Sequence, residues 1–468
     1  MRGEDARGWV CEEFGELTVG DVRLKRRLTR MAKTAAERGG GVISEVFRNA
    51  AERQGAYDLL EGGRVTDEAL LSTVAAACVA RSADDSFAFV PIDGSSVSVV
   101  DRGRATDLGV VGSYGHQGRG LQVVTALAVS PRGTTLGVCA QTWWARPTVR
   151  PKRGPSKYQP VHERESRFYV DTIRDVLRRY GESECKPWVV IDRGGDAIVM
   201  LDELVRGDCR FTVRSSWDRR VLERGRPRRL HQVLEKQRVR LHYEIDVPAA
   251  YNRPARIARL AVRVTRLELD VRHDWRANRA NPVVNVVWVR ETRPPHGIKP
   301  LDWMLFTNAA VDTADDLRLV VRSYTMRWRI EDFHKTWKSG HCRVEDTKLR
   351  SVAAVKTWAT LLAAVAARVE RLKHLARNEP AAPATIELTK VEIEALKLLK
   401  LKQKKKNEVV GPGIPSIELA VRWIADLGGY TGKSSGGPPG ATTLGRGLDD
   451  LAIATELLQR LAAAGRLR

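Results

Sequence analysis

The order of its predicted strands and helices places this sequence in the α/β class, with a mixed sheet at its centre. Beyond a helical N-terminal stretch come three strand-like runs, a helix, a strand, a second helix and a further strand. In such an order the first and fourth strands lie side by side and parallel, and the second and third form an antiparallel hairpin. This is the topology of the ribonuclease H fold. It predicts that two strand ends meet at one edge of the sheet.

Short apolar runs bounded by turn residues predict the strands of this core. The run at residues 87–93 (FAFVPID) ends in an acid, Asp93. Residues 121–129 and 134–144 form two more runs, joined by a Ser-Pro-Arg-Gly turn at 130–133. These three strands begin the sheet.

Alternation of helical and strand-like patterns continues the core. Helical spacing covers residues 163–180 and 197–205, and strand-like runs cover residues 188–191 and 210–217. The run at 188–191 is followed directly by Asp192. A strand-rich, basic stretch then interrupts the α/β pattern at about 218–300, with strands expected at about 238–247, 258–271 and 281–292, and a further strand at 301–308 leaves it. We interpret it as an inserted β subdomain, and a long helix at about 314–339 closes the core.

The charge balance indicates a polyanionic partner. Lys and Arg number 79 against 57 acidic residues, which gives a formal net charge of +22 and a pI near 10.0. DNA, RNA or an anionic membrane would be attracted by such a surface; the alternative is a basic surface without a partner. The longest apolar stretch, residues 361–367, is too short to span a bilayer, and no secretion signal is seen. The six cysteines show no disulfide or zinc spacing, which fits a reduced, intracellular compartment.

Basic residues accompany the apolar face of the first predicted helices. Leu24, Leu28 and Met31 have helical spacing. The basic residues beside them are Arg23, Lys25, Arg26, Arg27 and Arg30. A second helix is expected at about 43–60. We interpret this region as a small helical DNA-binding unit; the alternative is a helical cap with a solvated charged face.

Three domains follow from these patterns. Residues 1–75 form the N-terminal helical DNA-binding domain. Residues 76–377 form the ribonuclease H-like catalytic domain with its β insertion. Residues 378–468 form a C-terminal helical domain with helices expected at 416–427 and 446–466, and it carries a lysine run at 404–406.

Three acids occupy positions that the predicted topology brings together. Asp93 and Asp192 each follow a strand of the core, and Glu331 lies on the closing helix. Three unpaired carboxylates would repel one another, and hard divalent cations remove that cost. We therefore predict Asp93, Asp192 and Glu331 as catalytic ligands of two Mg²⁺ ions per active site, with Mn²⁺ as a substitute. Two such ions support phosphodiester displacement.

The closing helix carries a stripe of residues suited to phosphate. At about 100° per residue, Tyr324, Arg327, Glu331 and Lys338 fall within a face of roughly 60°. Arg offers a bidentate fork to phosphate and Lys a point charge. The alternative for Arg327 and Glu331 is a surface ion pair at i,i+4.

This helix closely resembles the Y-R-E-K signature of bacterial insertion-sequence transposases, a group of DDE enzymes. The resemblance extends over nearly the whole chain. Further similar segments are residues 53–57 (RQGAY), 91–93 (PID), 191–193 with Asp196 (IDR and D), 210–215 (RFTVRS) and 301–307 (LDWMLFT).

The resemblance implies site residues and a mechanism. Asp93, Asp192 and Glu331 match the metal ligands of the family. Residues that match its DNA-phosphate contacts are Tyr324, Arg327, Lys338 and Arg214. Trp303 matches an indole that stacks on a flipped base, with an ordinary core tryptophan as the alternative. Arg53, like Arg23, Arg26, Arg27 and Arg30, is expected to contact DNA.

The same resemblance implies cut-and-paste transposition through a DNA hairpin. The expected partners are double-stranded DNA, as terminal inverted repeats and as target, and a second copy of the chain in a homodimer. The C-terminal helices are the candidate dimer contact. A cytoplasmic, nucleoid-associated bacterial protein is expected, with no membrane partner.

Two other functions fit parts of the sequence. A ribonuclease H-like nuclease or junction resolvase would use the same metal chemistry without strand transfer. A domesticated DNA-binding protein would have lost catalysis, although all three acids are intact. Inverted repeats flanking the coding region would favour the transposase.

Overall fold

The computed structural model describes residues 8–17, 21–99, 107–114, 118–149, 163–247, 254–271, 281–403, 408–432 and 437–465. The chain forms two compact units. The first contains Met1–Asp84, Gly94–Lys152 and Arg329–Arg468, and the second contains Asp85–Asp93 and Arg153–Trp328. The lysine run at 404–406 lies outside the described residues.

The N-terminal part of the first unit is helical, as predicted. Its helices are α1 (Trp9–Phe14), α2 (Val22–Glu37), α3 (Ile43–Val46), α4 (Ala50–Glu61) and α5 (Asp67–Ala80). The single helix expected at 43–60 is wrong. The backbone is extended at Phe47, and the Asn49 side chain accepts hydrogen bonds from the N–H groups of Ala51 and Glu52. This cap starts a new helix after a short break.

Strand β1 (Phe87–Ser98) belongs to both units, since the division falls between Asp93 and Gly94. In the first unit it is followed by β2 (Gly109–Val110), β3 (Arg119–Val129) and β4 (Thr135–Trp144). The β3–β4 hairpin is confirmed. Its turn is closed by Ser130 N–H donating to the Thr134 carbonyl at 2.8 Å, and Gly133 adopts φ +94°. Glycine reaches that backbone conformation at little cost.

The second unit contains the parallel part of the sheet. It holds α6 (Ser166–Tyr180), β5 (Lys186–Ile191), α7 (Ile198–Arg206) and β6 (Arg210–Arg214). Strand β1 pairs parallel with β5, and β5 pairs parallel with β6. The expected parallel neighbours, the first and fourth predicted strands, are therefore confirmed. With β4 on β3 and β3 on β1, the strand order is β4-β3-β1-β5-β6.

The insertion is built of strands, as expected, but it continues the core sheet. Its elements are β7 (Arg220–Glu223), β8 (Arg226–Arg229), α8 (Leu230–Glu235), β9 (Leu241–Val247), β10 (Arg256–Leu269), β11 (Val283–Glu291) and β12 (Asp302–Thr307). Strand β12 pairs antiparallel with β6, and the order runs on as β6-β12-β11-β10-β7-β8, with β9 also on β10. Backbone hydrogen bonds, and not a separate layer, join the insertion to the core.

The single closing helix predicted at 314–339 is wrong. The chain forms α9 (Ala314–Thr325) and α10 (Trp328–Lys338), separated by Met326 and Arg327. The Arg327 N–H donates to the Tyr324 carbonyl, three residues back, at 3.2 Å. Because the turn is tightened there, the constant 100° step behind the predicted stripe does not hold across Arg327.

The C-terminal part of the first unit is helical. It contains α11 (Val352–Asn378), α12 (Lys390–Lys402), α13 (Ile417–Leu427) and α14 (Ala441–Ala463). The last three pack around an apolar cluster that includes Leu396, Trp423 and Leu448. Helix α11 is long and apolar enough to cross a bilayer, but 83% of its most apolar window is buried inside the protein. It is a core helix.

Candidate active site and nucleic-acid interface

Asp93 and Asp192 occupy equivalent positions on two neighbouring parallel strands. The β1–β5 register ends with Ile92 opposite Ile191. Asp93 directly follows Ile92, and Asp192 directly follows Ile191. Because adjacent strands are about 4.8 Å apart, this register predicts a similar separation for the two Cα atoms. The prediction that Asp93 ends its strand is wrong, because β1 continues to Ser98. Both side chains are partly exposed.

The Asp192 side chain is oriented by its own loop. Its Oδ1 accepts a hydrogen bond from the Gly194 N–H at 2.7 Å, which opens the 3₁₀ turn Arg193–Gly195. A short polar cap of this kind fixes the direction of the carboxylate at the end of β5.

Asp196, the second acid of the similar segment, is structural. It is 2% exposed, and its Oδ1 accepts from Arg219 Nε at 2.6 Å while Oδ2 accepts from the Ser216 N–H at 2.7 Å. Burial raises the pKa of this carboxyl, and the Arg219 guanidinium opposes the rise. The ion pair between Asp196 and Arg219 connects the loop after β5 to the loop after β6.

Glu331 and Lys338 lie on α10 in the first unit. Glu331 is in the first turn and is partly exposed. A buried face of α10 is anchored by Trp337, whose Nε1 donates to the Ala359 carbonyl at 2.9 Å. Lys338 Nζ lies 3.4 Å from Glu345 Oε1. The convergence of Glu331 with Asp93 and Asp192, which belong to the second unit, stays a prediction.

Four of the predicted DNA-contacting residues meet in the second unit. Trp303 and Tyr324 pack edge to face with ring centroids 5.1 Å apart, and they are 7% and 3% exposed. Arg214 Nη1 donates to the Tyr324 hydroxyl at 3.4 Å, and its Nη2 donates to the Asp302 carbonyl at 3.0 Å. The Arg327 guanidinium lies 6.0 Å from the Tyr324 ring centroid. Tyr324 is thus the centre of an aromatic and cationic cluster.

The N-terminal arginines stand on a capped, amphipathic helix. Asp21 caps α2, which buries Leu28 and Met31. The exposed arginines of α2 are Arg23, Arg26, Arg27 and Arg30, and Arg53 on α4 is half-buried. Within the first unit, a cleft of about 1440 Å³ is lined by Arg26 and Arg30 together with residues of α12 and α14.

Two family models match the chain. Residues 6–65 match the transposase DNA-binding family, and residues 160–367 match the transposase DDE domain. The chain is a DDE transposase. The class carries out metal-dependent cleavage and transfer of DNA. The DNA-binding match contains all five predicted N-terminal arginines, and the DDE match contains Asp192 and Glu331 but begins after Asp93.

Among the residues that the structure describes, the transposase has an acidic cluster that the sequence did not predict. Ligand atoms of Asp332, Glu370 and His374 lie within 4.8 Å of one another, on α10 and α11. The Lys373 ammonium contacts Glu370 and lies 3.5 Å from Asp332 Oδ2, and burial lowers the pKa of His374 well below its usual value. Lys373 already pairs with both carboxylates, so the cluster fits an internal ion-pair network better than a cation site. Glu370 and His374 are one helical turn apart on α11, whereas Asp332 comes from α10, and the sequence does not show that these two helices meet.

Proposed function

We propose that the protein is a cut-and-paste DNA transposase of the Y-R-E-K type whose catalytic carboxylates are Asp93, Asp192 and Glu331. The observation that carries this proposal is the register of β1 and β5, which sets Asp93 beside Asp192. Two carboxylates held this close repel each other unless a cation or proton intervenes. Glu331, on the first turn of α10, is the proposed third ligand.

The donor set fits Mg²⁺, with Mn²⁺ as a substitute. All three proposed ligands are carboxylates, the hard oxygen donors that these ions prefer. When bound, two ions would supply charge that stabilises both the attacking and the leaving oxygen of an in-line phosphodiester displacement. The protein contributes position: Asp93 directly follows Ile92, the last paired residue in the β1–β5 register, and the Asp192 carboxylate is oriented by its hydrogen bond from Gly194.

The remaining site residues are proposed to hold the DNA. Arg214 and Arg327 meet around Tyr324, where their guanidiniums would bind phosphates beside the scissile bond. We propose that Lys338 breaks its ion pair with Glu345 when DNA binds and pairs with a DNA phosphate instead. Trp303 is proposed to stack on a flipped base, which would relieve strain in a tight DNA hairpin.

The proposed reaction has four displacements. Water nicks one strand at the element's end, and the freed 3′-OH attacks the opposite strand to give a hairpin. A second water opens the hairpin, and the 3′-OH then attacks target DNA. In each step the phosphorus atom gains a bond to the attacking oxygen of water or of the 3′-OH and loses its bond to the leaving oxygen. Positioning and charge stabilisation therefore suffice.

The domain roles follow the same proposal. Residues 1–75 bind terminal inverted repeats, residues 76–377 carry catalysis, and residues 378–468 supply the contact of a homodimer that holds two DNA ends. A cytoplasmic, nucleoid-associated location in a bacterium is proposed with it.

The test uses DNA taken from the borders of the coding region, with Mg²⁺. The wild-type protein should yield nicked, hairpin and strand-transfer products, and Glu331→Ala should bind this DNA while producing none of them. Full cleavage by Glu331→Ala would overturn the assignment. Cleavage without any strand transfer would favour the nuclease or resolvase instead.

A further inference from the structure

The loop between β6 and β7 presents an unusually exposed tryptophan. Trp217 is 58% exposed, although an indole is a large apolar surface that usually lies at least partly covered. A single exposed apolar residue is ordinary by itself. The surroundings of Trp217 are what distinguish it.

The loop that carries Trp217 is held rigidly by hydrogen bonds. The Ser216 N–H donates to Asp196 Oδ2 at 2.7 Å, and the Ser216 hydroxyl donates to the Arg193 carbonyl at 2.5 Å. The Ser215 hydroxyl donates to the Trp217 carbonyl at 2.9 Å. A binding residue on a fixed loop loses little conformational entropy when its ligand arrives.

One face of the indole is supported by a cation. The Arg219 guanidinium lies 5.0 Å from the centroid of the Trp217 ring, and Arg219 is itself anchored by the buried Asp196. The exposure of Trp217 leaves much of its remaining surface to solvent. An aromatic ring presented in this way on a DNA enzyme suits stacking with a nucleobase, which tolerates any base sequence.

The loop also lies beside a proposed catalytic acid. Arg193, whose carbonyl binds Ser216, follows Asp192 directly. We propose that Trp217 stacks on an unpaired nucleobase adjacent to the scissile phosphate, in an open site separate from Trp303. The inference rests on the proposed role of Asp192. Trp303 is 7% exposed and packed on Tyr324, whereas Trp217 is available without rearrangement.

The test compares two DNA probes in the absence of divalent ions. One is a duplex with an unpaired stretch that contains 2-aminopurine, and the other is the same duplex fully paired. Trp217→Ala should bind the unpaired probe roughly 5- to 100-fold more weakly and lose the fluorescence quenching of 2-aminopurine. Binding of the paired duplex should stay at the wild-type level.

Two control variants separate stacking from packing. Trp217→Phe keeps an aromatic ring and should retain most of the affinity and quenching. Val205→Ala truncates another exposed apolar side chain of the same unit and should change neither. Equal weakening by Trp217→Phe and Trp217→Ala, equal loss on both probes, or unchanged binding by Trp217→Ala would overturn the inference.

A parallel assay with Mg²⁺ distinguishes this inference from the proposed function. If Asp192→Asn abolishes cleavage while Trp217→Ala binds both probes like the wild type, only the Trp217 inference fails. If Asp192→Asn cleaves normally, the proposed function fails, whatever Trp217 does.

Discussion

Trp303 and Tyr324 pack edge to face with ring centroids 5.1 Å apart, and both are almost wholly buried. An indole in this position has no free face for a base. If Trp303 stacks on DNA as proposed, its indole must first leave Tyr324, and the cost of that movement would lower the affinity for DNA. A core role and a stacking role for Trp303 can be separated by experiment.

Replacing Trp303 should affect both stability and chemistry. Trp303→Ala should lower the free energy of unfolding by about 3–5 kcal/mol because it leaves a cavity beside Tyr324. It should also slow hairpin formation more than first-strand nicking, as measured on gels under single-turnover conditions. If Trp303→Ala slows both steps equally, Trp303 serves the core alone.

Substitution of the two acids in the loop after β5 should have different effects: Asp196→Ala should reduce stability, and Asp192→Asn should abolish cleavage. Asp196→Ala removes the partner of the Arg219 guanidinium, whose side chain is only 10% exposed, and should cost about 3–5 kcal/mol in denaturant unfolding. Asp192→Asn, at a partly exposed position, should change stability by less than about 1 kcal/mol and abolish cleavage. A stable, active Asp196→Ala protein would contradict the structural role assigned to Asp196.

The edge strand β8 should contribute to DNA affinity through charge. All four of its residues are exposed, and Arg226 and Arg228 alternate along it. Arg226→Gln with Arg228→Gln should reduce the slope of log affinity against log salt by about 1.8, from two lost phosphate contacts. Arg318→Gln, which removes an arginine paired with Asp315, is the control. An unchanged slope would show that these arginines do not contact DNA phosphates. Their charge would then serve to protect the sheet edge from aggregation.

His341 fills the space that side chains at positions 39 and 445 would need. A Cβ at Gly445 would lie 2.1 Å from His341 Nδ1, and one at Gly39 would lie 2.3 Å from His341 Cε1. Gly445→Ala should therefore lower the free energy of unfolding by about 1–3 kcal/mol or more. In the His341→Ala background, Gly445→Ala should cost much less stability, and a double-mutant cycle measures this difference. If the two substitutions lower stability additively, the clash with His341 is not the cause of the loss.

The same histidine should make the fold sensitive to acid. Burial, and secondarily Arg343, lowers the pKa of His341 from 6.5 to about 4. Between these values the unfolded chain binds a proton that the folded protein does not, so acidification from pH 6.5 to 4 should reduce stability. His341→Asn should flatten that part of the stability profile in urea titrations. An equally steep profile in the variant would refute the assignment to His341.

Strand pairing around the acids could be predicted because it depends on local pattern. The apolar runs that end at Ile92 and Ile191 mark two buried strands, and the α/β alternation requires them to be parallel. Their register then sets Asp93 beside Asp192 without further information. The sequence also predicted the longer strands of the insertion, β9 to β12, from their apolar runs.

Features that depend on tertiary contacts escaped prediction. The break at Met326 and Arg327 has no glycine or proline to signal it. The hairpin of β7 and β8 is arginine-rich and lacks the alternation of apolar and polar residues that marks a half-buried strand. Its turn places Arg224 and Gly225 at φ +52° and +77°. Continuation of the core sheet into the insertion depends on pairing between β6 and β12, about 90 residues apart, which no local pattern encodes.

The most direct test of the account is cleavage of element-end DNA with Mg²⁺ by Asp93→Asn, Asp192→Asn and Glu331→Gln, with Asp332→Asn as the matched control. Asp332 adjoins Glu331 but is exposed and lies near Lys373. We expect the three variants to bind DNA like the wild type and to release no product, while Asp332→Asn cleaves normally. Wild-type cleavage by any of the three would contradict a site built from these carboxylates.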